Sequence, residues 1–206
     1  MVEMFVHNNQ TFKVISANKK HISSVKNLCD ETLGKNFYTA EDLLEIFENK
    51  NSWFYMLFNG DDEFIGFHYH YIEPLINVSE QFKCCYEEMV SASGEKAQSN
   101  VGVLKSIAID RKFRGNGIAF VFSNFAIDNL FEQGVCSIWV PAWKQNEYVP
   151  ENNTLLKQGF THHCDVKKLW YGKENLCCPI CKQERCICDA AIYYRIRCEK
   201  PELAAL

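Results

Sequence analysis

Residues 101–134, VGVLKSIAIDRKFRGNGIAFVFSNFAIDNLFEQG, constrain the fold more than any other stretch of this chain. An apolar run of strand character enters a basic turn with two glycines and leaves as an amphipathic helix. That helix carries Ile118, Val121, Phe122, Phe125 and Phe131 along its apolar side and is closed by Gly134. A strand feeding a helix through a short turn calls for a layered α/β arrangement with the helix packed on a sheet. The turn also implies chemistry. The first backbone N–H groups of a helix lack partners and, with the helix dipole, attract anions. Gly115 and Gly117 let a phosphate approach the backbone closely, and Arg111, Lys112 and Arg114 add positive charge. The segment therefore reads as a phosphate cradle suited to a pyrophosphate, with a plain strand-to-helix connection as the alternative. It is not a Walker loop, since GxxxxGK[ST] is absent, and GxGxxG is not matched either.

Around this unit the chain alternates strand and helix patterns. Residues 1–10 form a tail or an extra strand, and residues 11–206 a single domain. TFKVISA (11–17) predicts a strand, and Ile22, Val25, Leu28, Cys29 and Leu33 mark a helix ending near Gly34. A second helix begins at Thr39, with Asp42 as its capping partner. SWFYMLF (52–58) and EFIGFHYHYIE (63–73) predict a hairpin around NGDD. VSEQFKCCYEEMV (78–90) suggests one helix. CSIWVPAW is a further strand and ENNTLLKQ a short helix. DVKKLWYGK and AAIYYRIRC predict a last hairpin carrying a cysteine-rich insertion at about 173–189.

A chain of 206 residues can bury a real core, and one domain is expected. A net charge of −4 disfavours a surface devoted to nucleic acid. No apolar run is long enough to span a membrane and Met1–Gln10 has no signal-like core, so a soluble cytoplasmic protein is expected. The sequence does not fix an oligomeric state.

Arg114-Gly115-Asn116-Gly117-Ile118-Ala119 resembles the [Q/R]-x-x-G-x-[G/A] signature of the GNAT N-acetyltransferase superfamily, and the element order from about 11 to 198 is similar to that family's. The resemblance implies an α/β (α+β) fold with a central mixed, mostly antiparallel sheet flanked by helices, here with a small cysteine knob. It implies acetyl-CoA as co-substrate. The N–H groups of Gly115, Asn116, Gly117, Ile118 and Ala119 would hold its pyrophosphate, with Arg114 beside them, and Ile107, Ala108 and Ile109 would offer a strand edge to the pantetheine arm.

The implied chemistry is direct attack of an amine on the thioester. A lysine amine of pKa about 10.4 costs roughly 4–5 kcal/mol to neutralise at pH 7, whereas an α-amine near ~8 costs about 1–1.5 kcal/mol. A site poor in bases suits the second acceptor better, and this site departs from the family where bases and acids are usual. Leu155 stands where a tyrosine acid often lies, Lys105 where a glutamate often lies, and Tyr148, with Asn146 nearby, where an asparagine is common. Glu73 is the candidate base, acting through a water. His68 and His70 share one strand face, with packing as the plainer expectation.

Five of the eleven cysteines crowd into CCPICKQERCICD. Cys178-Pro-Ile-Cys181 has knuckle spacing, and Cys186-Ile-Cys188 returns a second pair. Four thiolates are the closed, structural arrangement around Zn²⁺. Reduced thiols or an iron–sulfur site are the alternatives. The leading expectation is an acetyl-CoA-dependent N-acyltransferase acting on a small-molecule or protein amine. Behind it stand a non-catalytic acyl-CoA-binding module and a zinc-knuckle protein that binds protein or nucleic acid through Lys167, Lys168, Lys182, Arg185, Arg195 and Arg197.

Overall fold

A computed structural model describes residues 2–145, 147–183 and 185–197. The chain opens with a hairpin of β1 (Val2–His7) and β2 (Gln10–Ser16), so the N-terminal segment supplies the extra strand rather than a tail. Asn8 and Asn9 both adopt positive φ, at 49° and 60°, the backbone that a two-residue turn between twisted strands requires. Helices α1 (Ile22–Thr32) and α2 (Ala40–Glu48) follow. Thr39 and Asp42 cap α2 reciprocally: the Asp42 N–H donates to Thr39 Oγ1 at 3.0 Å and the Thr39 N–H to Asp42 Oδ2 at 2.9 Å. The aromatic hairpin is β3 (Ser52–Phe58) and β4 (Phe64–Pro74).

Residues 78–90 are not one helix. They divide into α3 (Leu75–Phe82) and α4 (Tyr86–Ser93), because Lys83 turns left-handed at φ 55° and the Cys84 N–H closes back on the Ser79 carbonyl at 3.0 Å. Next come β5 (Asn100–Ile109), α5 (Ile118–Glu132), β6 (Ser137–Lys144), α6 (Asn152–Lys157), β7 (Thr161–Val166) and β8 (Asp189–Ile196). The last hairpin thus begins earlier in the sequence than its pattern suggested. DVKKLWYGK leaves the sheet after Val166: Lys168 is left-handed, Trp170 folds inward, and the N–H groups of Tyr171 and Lys173 bond back to the carbonyls of Lys168 and Trp170.

Among the described residues, eight strands form one sheet in the order β1-β2-β3-β4-β5-β6-β8-β7. Every pairing is antiparallel except β5 with β6, which α5 connects as a parallel crossover. Helices α1 to α4 cover one face and pack with Phe67, Trp139 and the cysteine loop; α5 and α6 cover the other. Trp139, Phe67, Phe82 and Phe122 are fully buried, each worth roughly 2–3 kcal/mol of apolar transfer.

One irregularity shapes the centre of the sheet. Tyr69 faces Ser106 and the next residue, His70, faces Leu104, leaving Lys105 as an extra residue in β5. Such a bulge bends its strand and re-aims the side chains beyond it. Ser106 therefore joins the α1–α2 face, where its hydroxyl meets Tyr38, and Ile107 and Ile109 turn toward α5.

Candidate active site

Two features converge at the C-terminal half of β5. The first is the start of α5. Gly115 and Gly117 sit at φ 85° and 76°, and Gly117, as the N-cap, offers no side chain to the helix. Among the described residues, no backbone carbonyl accepts from the N–H groups of Gly115 through Ala119. A Cβ at Gly115 would meet nothing within 4 Å, so that face of the turn is open. Five successive donors at a helix N-terminus form an anion site. Arg114 Nε donates to the Ile109 carbonyl at 2.7 Å, tying the turn to the strand end. A second brace, invisible to local pattern, comes from the β1–β2 hairpin: Asn8 Nδ2 and His7 Nε2 lie 3.2 and 2.7 Å from the Asn116 carbonyl.

The second feature is the parting of β5 from β6. Their pairing is confined to Gly102 with Ile138 and Val103 with Trp139. Past that point the β6-side edge of β5, including Ile107, Ala108 and Ile109, has no strand partner among the described residues. A mainly apolar cleft of about 170 Å³ opens there, lined by Ile107, Ala119, Pro141, Leu155 and Gln158 among others. Gln158 anchors α6 to α5 by donating to the Phe120 carbonyl at 3.1 Å and to Ser123 Oγ at 2.6 Å. Leu155 is buried in this cleft, and the hydroxyls that line it belong to Ser106, Ser123 and Thr154. Tyr148 is exposed, and Asn146 lies outside the described residues.

On the α2 side of β5 lies a wider pocket of about 460 Å³. Tyr38, Tyr69 and Tyr71 line it with Asp42, Glu45, Glu73, Lys105 and Lys173. Glu73 accepts from Asn77 Nδ2 at 3.2 Å and from Gln81 Nε2, whose Oε1 accepts from the Tyr71 hydroxyl at 2.7 Å. Lys105 borders both the pocket and the cleft, with Nζ 5.8 Å from the Phe82 ring centre. Burial, and then the charge of Lys173, push its ammonium down to about 8, with Glu73 opposing. The sequence marked Lys105 as a missing glutamate; its depressed amine is a property of the packing.

His68 and His70 do share a face, and they are packed: 2% and 0% exposed, with their Nδ1 atoms 3.4 Å apart and His70 Nε2 3.0 Å from Asn129 Oδ1. Burial lowers both, His70 to about 4, so both are neutral at pH 7. Cys84 Sγ lies 3.4 Å from Cys164 Sγ, and neither lines the cleft or the pocket.

The cysteine loop is built as a thiol cage. The Sγ atoms of Cys178, Cys181, Cys186 and Cys188 all lie within 4.8 Å of one another, and Cys178 and Cys188 are 3.8 Å apart. A tetrahedron with Zn–S bonds of ~2.3 Å has edges of about 3.8 Å, so the donor set fits zinc. Cys178, Cys186 and Cys188 are buried in the main core. The loop is keyed to the α1–α2 connection: the Cys177 N–H donates to the Lys35 carbonyl at 3.0 Å and Asn36 Nδ2 to the Asn175 carbonyl at 3.1 Å. Gly34, at φ 112°, leaves room for it, since a Cβ there would lie 2.5 Å from the Cys177 carbonyl oxygen. Of the cations considered for nucleic acid, Lys167 pairs with Asp189 at 2.7 Å, Arg195 lies over Phe131, and Arg197 donates to the Phe131 carbonyl.

An uncapped helix start thus lies beside a parted pair of parallel strands. A family model described as the acetyltransferase (GNAT) family matches residues 23–160, and the chain belongs to that family. No curated protein sequence is similar enough to count as a match. Among solved structures, Arabidopsis thaliana NAA60 in complex with acetyl-CoA is 12% identical with a TM-score of 0.65, covering 90% of this chain and 98% of its own. The ribosomal-protein-S5-alanine acetyltransferase from Vibrio fischeri is 15% identical, TM-score 0.63, covering 97% and 98%. The ribosomal-protein-S18-alanine N-acetyltransferase from Escherichia coli is 11% identical, TM-score 0.61, covering 95% and 99%. These likenesses are of fold. The cysteine cage lies beyond the residues the family model matches.

Proposed function

We propose that this protein transfers an acetyl group from acetyl-CoA to an amine by direct attack on the thioester. The observation that carries the proposal is the opening of the β5 edge beside five unpartnered amides at the start of α5. The N–H groups of Gly115, Asn116, Gly117, Ile118 and Ala119 bind the pyrophosphate, with Arg114 beside them. Ile107, Ala108 and Ile109 hold the pantetheine arm along their free edge. The thioester then sits in the cleft near Leu155, and the acceptor enters through the wider pocket. Glu73 takes the acceptor's proton through a water, and its bonds to Asn77 and Gln81 fix its orientation. The low cost of neutralising an α-amine favours an α-amino group of a protein or small molecule as acceptor.

Cys178, Cys181, Cys186 and Cys188 hold a structural Zn²⁺, which cross-links the loop and braces the α1–α2 connection along the acceptor pocket. Leu155 and Lys105 favour a second reading, in which the same cleft binds acyl-CoA without turnover. Acetyl release from acetyl-CoA across a panel of amines separates the two. Turnover with an α-amine, lowered roughly 10²-fold by Glu73→Gln at unchanged CoA affinity, is the expected result. CoA binding without turnover on any amine supports the second reading.

A further inference from the structure

Lys105 occupies a position that the transfer mechanism leaves without a task. The bulge in β5 makes it the extra residue at the point where the strand separates two cavities, and its side chain borders both. Ser106 and Ile107, its successors, line the cleft; Glu73, Tyr38 and Gln81 share the pocket with it. Among the described residues its ammonium has no ion-pair partner, and the charges acting on it are those of Lys173, which opposes it, and Glu73. Lys105 is half-buried and unpaired among the described residues, and a partly desolvated amine is a nucleophile.

We propose that Lys105 is a self-acetylation site: its Nζ attacks the thioester carbonyl of acetyl-CoA held in the cleft, so that the protein acetylates itself when no acceptor fills the pocket. The inference rests on the acetyl-CoA reading given above. The ammonium first yields one proton to water or to Glu73, and the neutral nitrogen forms the C–N bond. The C–S bond breaks with its electron pair going to sulfur. The second proton lost by nitrogen passes to the thiolate, giving an amide on Lys105 and free CoA thiol. No oxidant, reductant or further reactant is required. The amide carries no charge, so modification removes the repulsion with Lys173.

The depressed amine supports this geometry, since about one lysine in ten is neutral at pH 7 when the pKa is near 8. On the pocket side Glu73, Asp42, Glu45 and Lys173 share its surroundings with the phenols of Tyr38, Tyr69 and Tyr71, and on the cleft side Glu151 and His68 do.

The test incubates the full chain with acetyl-CoA and no acceptor, then maps acetyl-lysines by peptide mass spectrometry while CoA binding is followed by calorimetry. The expected result is up to one acetyl per chain on Lys105, saturating with acetyl-CoA and independent of protein concentration. Its rate should level off above about pH 8 and exceed that of exposed Lys50 at pH 7. Lys105→Arg should lose the modification but still bind CoA, and acid-unfolded protein returned to neutral pH in denaturant should show no preference for Lys105. Tight CoA binding with Lys105 acetylated no faster than Lys50 overturns the proposal and leaves the transferase reading standing. Absence of CoA binding overturns both.

Discussion

The two sides of β5 are built from different material. The cleft toward β6 and α5 is made by backbone: free amides, an unpaired strand edge, glycines at positive φ. The pocket toward α2 is made by side chains, among them three tyrosines, three carboxylates and two lysines. A carrier with an invariant pyrophosphate can be gripped by main-chain groups that tolerate almost any sequence. An acceptor must be told apart by side chains, and Lys105, which borders both cavities, and Leu155, in the cleft, supply neither a carboxylate nor a phenol. The cysteine cage belongs to the second side, since it leans on the connection from which Tyr38 reaches the pocket.

That contrast can be broken in three places. The largest effect should come from removing the zinc proposed for the cysteine cage. Binding at a closed four-thiolate site is worth on the order of 10 kcal/mol, so chelation or Cys186→Ser should destabilise the fold by at least about 3–5 kcal/mol. At temperatures where the chain stays folded, the damage should fall on acceptor use and spare CoA affinity. Elemental analysis should find one zinc per chain. Equal loss of both functions would make the cage a purely global support.

The next effect belongs to Lys105. Its folded-state pKa of about 8 lies below the unfolded 10.5, so the unfolded chain binds more protons between those values. Stability should therefore rise with pH through that window, by about 3 kcal/mol in all. Lys105→Met should be more stable than the parent at pH 7 by a comparable amount and lose that rise. Denaturant unfolding at pH 7 and pH 10 reads both.

The smallest effect tests the backbone side. Gly117→Val places a side chain at φ 76° and within 3.3 Å of His7 Nε2. A strain of about 1–2 kcal/mol, with the amides turned from their aim, should weaken CoA roughly tenfold. Isothermal titration checks this; an unchanged Kd would detach the carrier from the turn.

How much of this was legible beforehand follows the same division. The strand–turn–helix unit, the Thr39 cap and the paired cysteines are local patterns, and each appears where spacing put it. Features that depend on distant partners were hidden. The break between α3 and α4 turns on Lys83 adopting a left-handed backbone, which lysine composition does not announce. The start of β7 was misplaced because LWYG reads as strand until Trp170 finds its place in the core. The bulge at Lys105 exists only as an offset between two strands, and so does the amine chemistry that follows from it.

A crystal structure with CoA bound bears most directly on the whole account. It should show pyrophosphate oxygens within hydrogen-bond distance of the N–H groups of residues 115–119, the pantetheine along residues 107–109, and the sulfur between Leu155 and Lys105. A carrier bound elsewhere, with those amides facing only solvent, would contradict it.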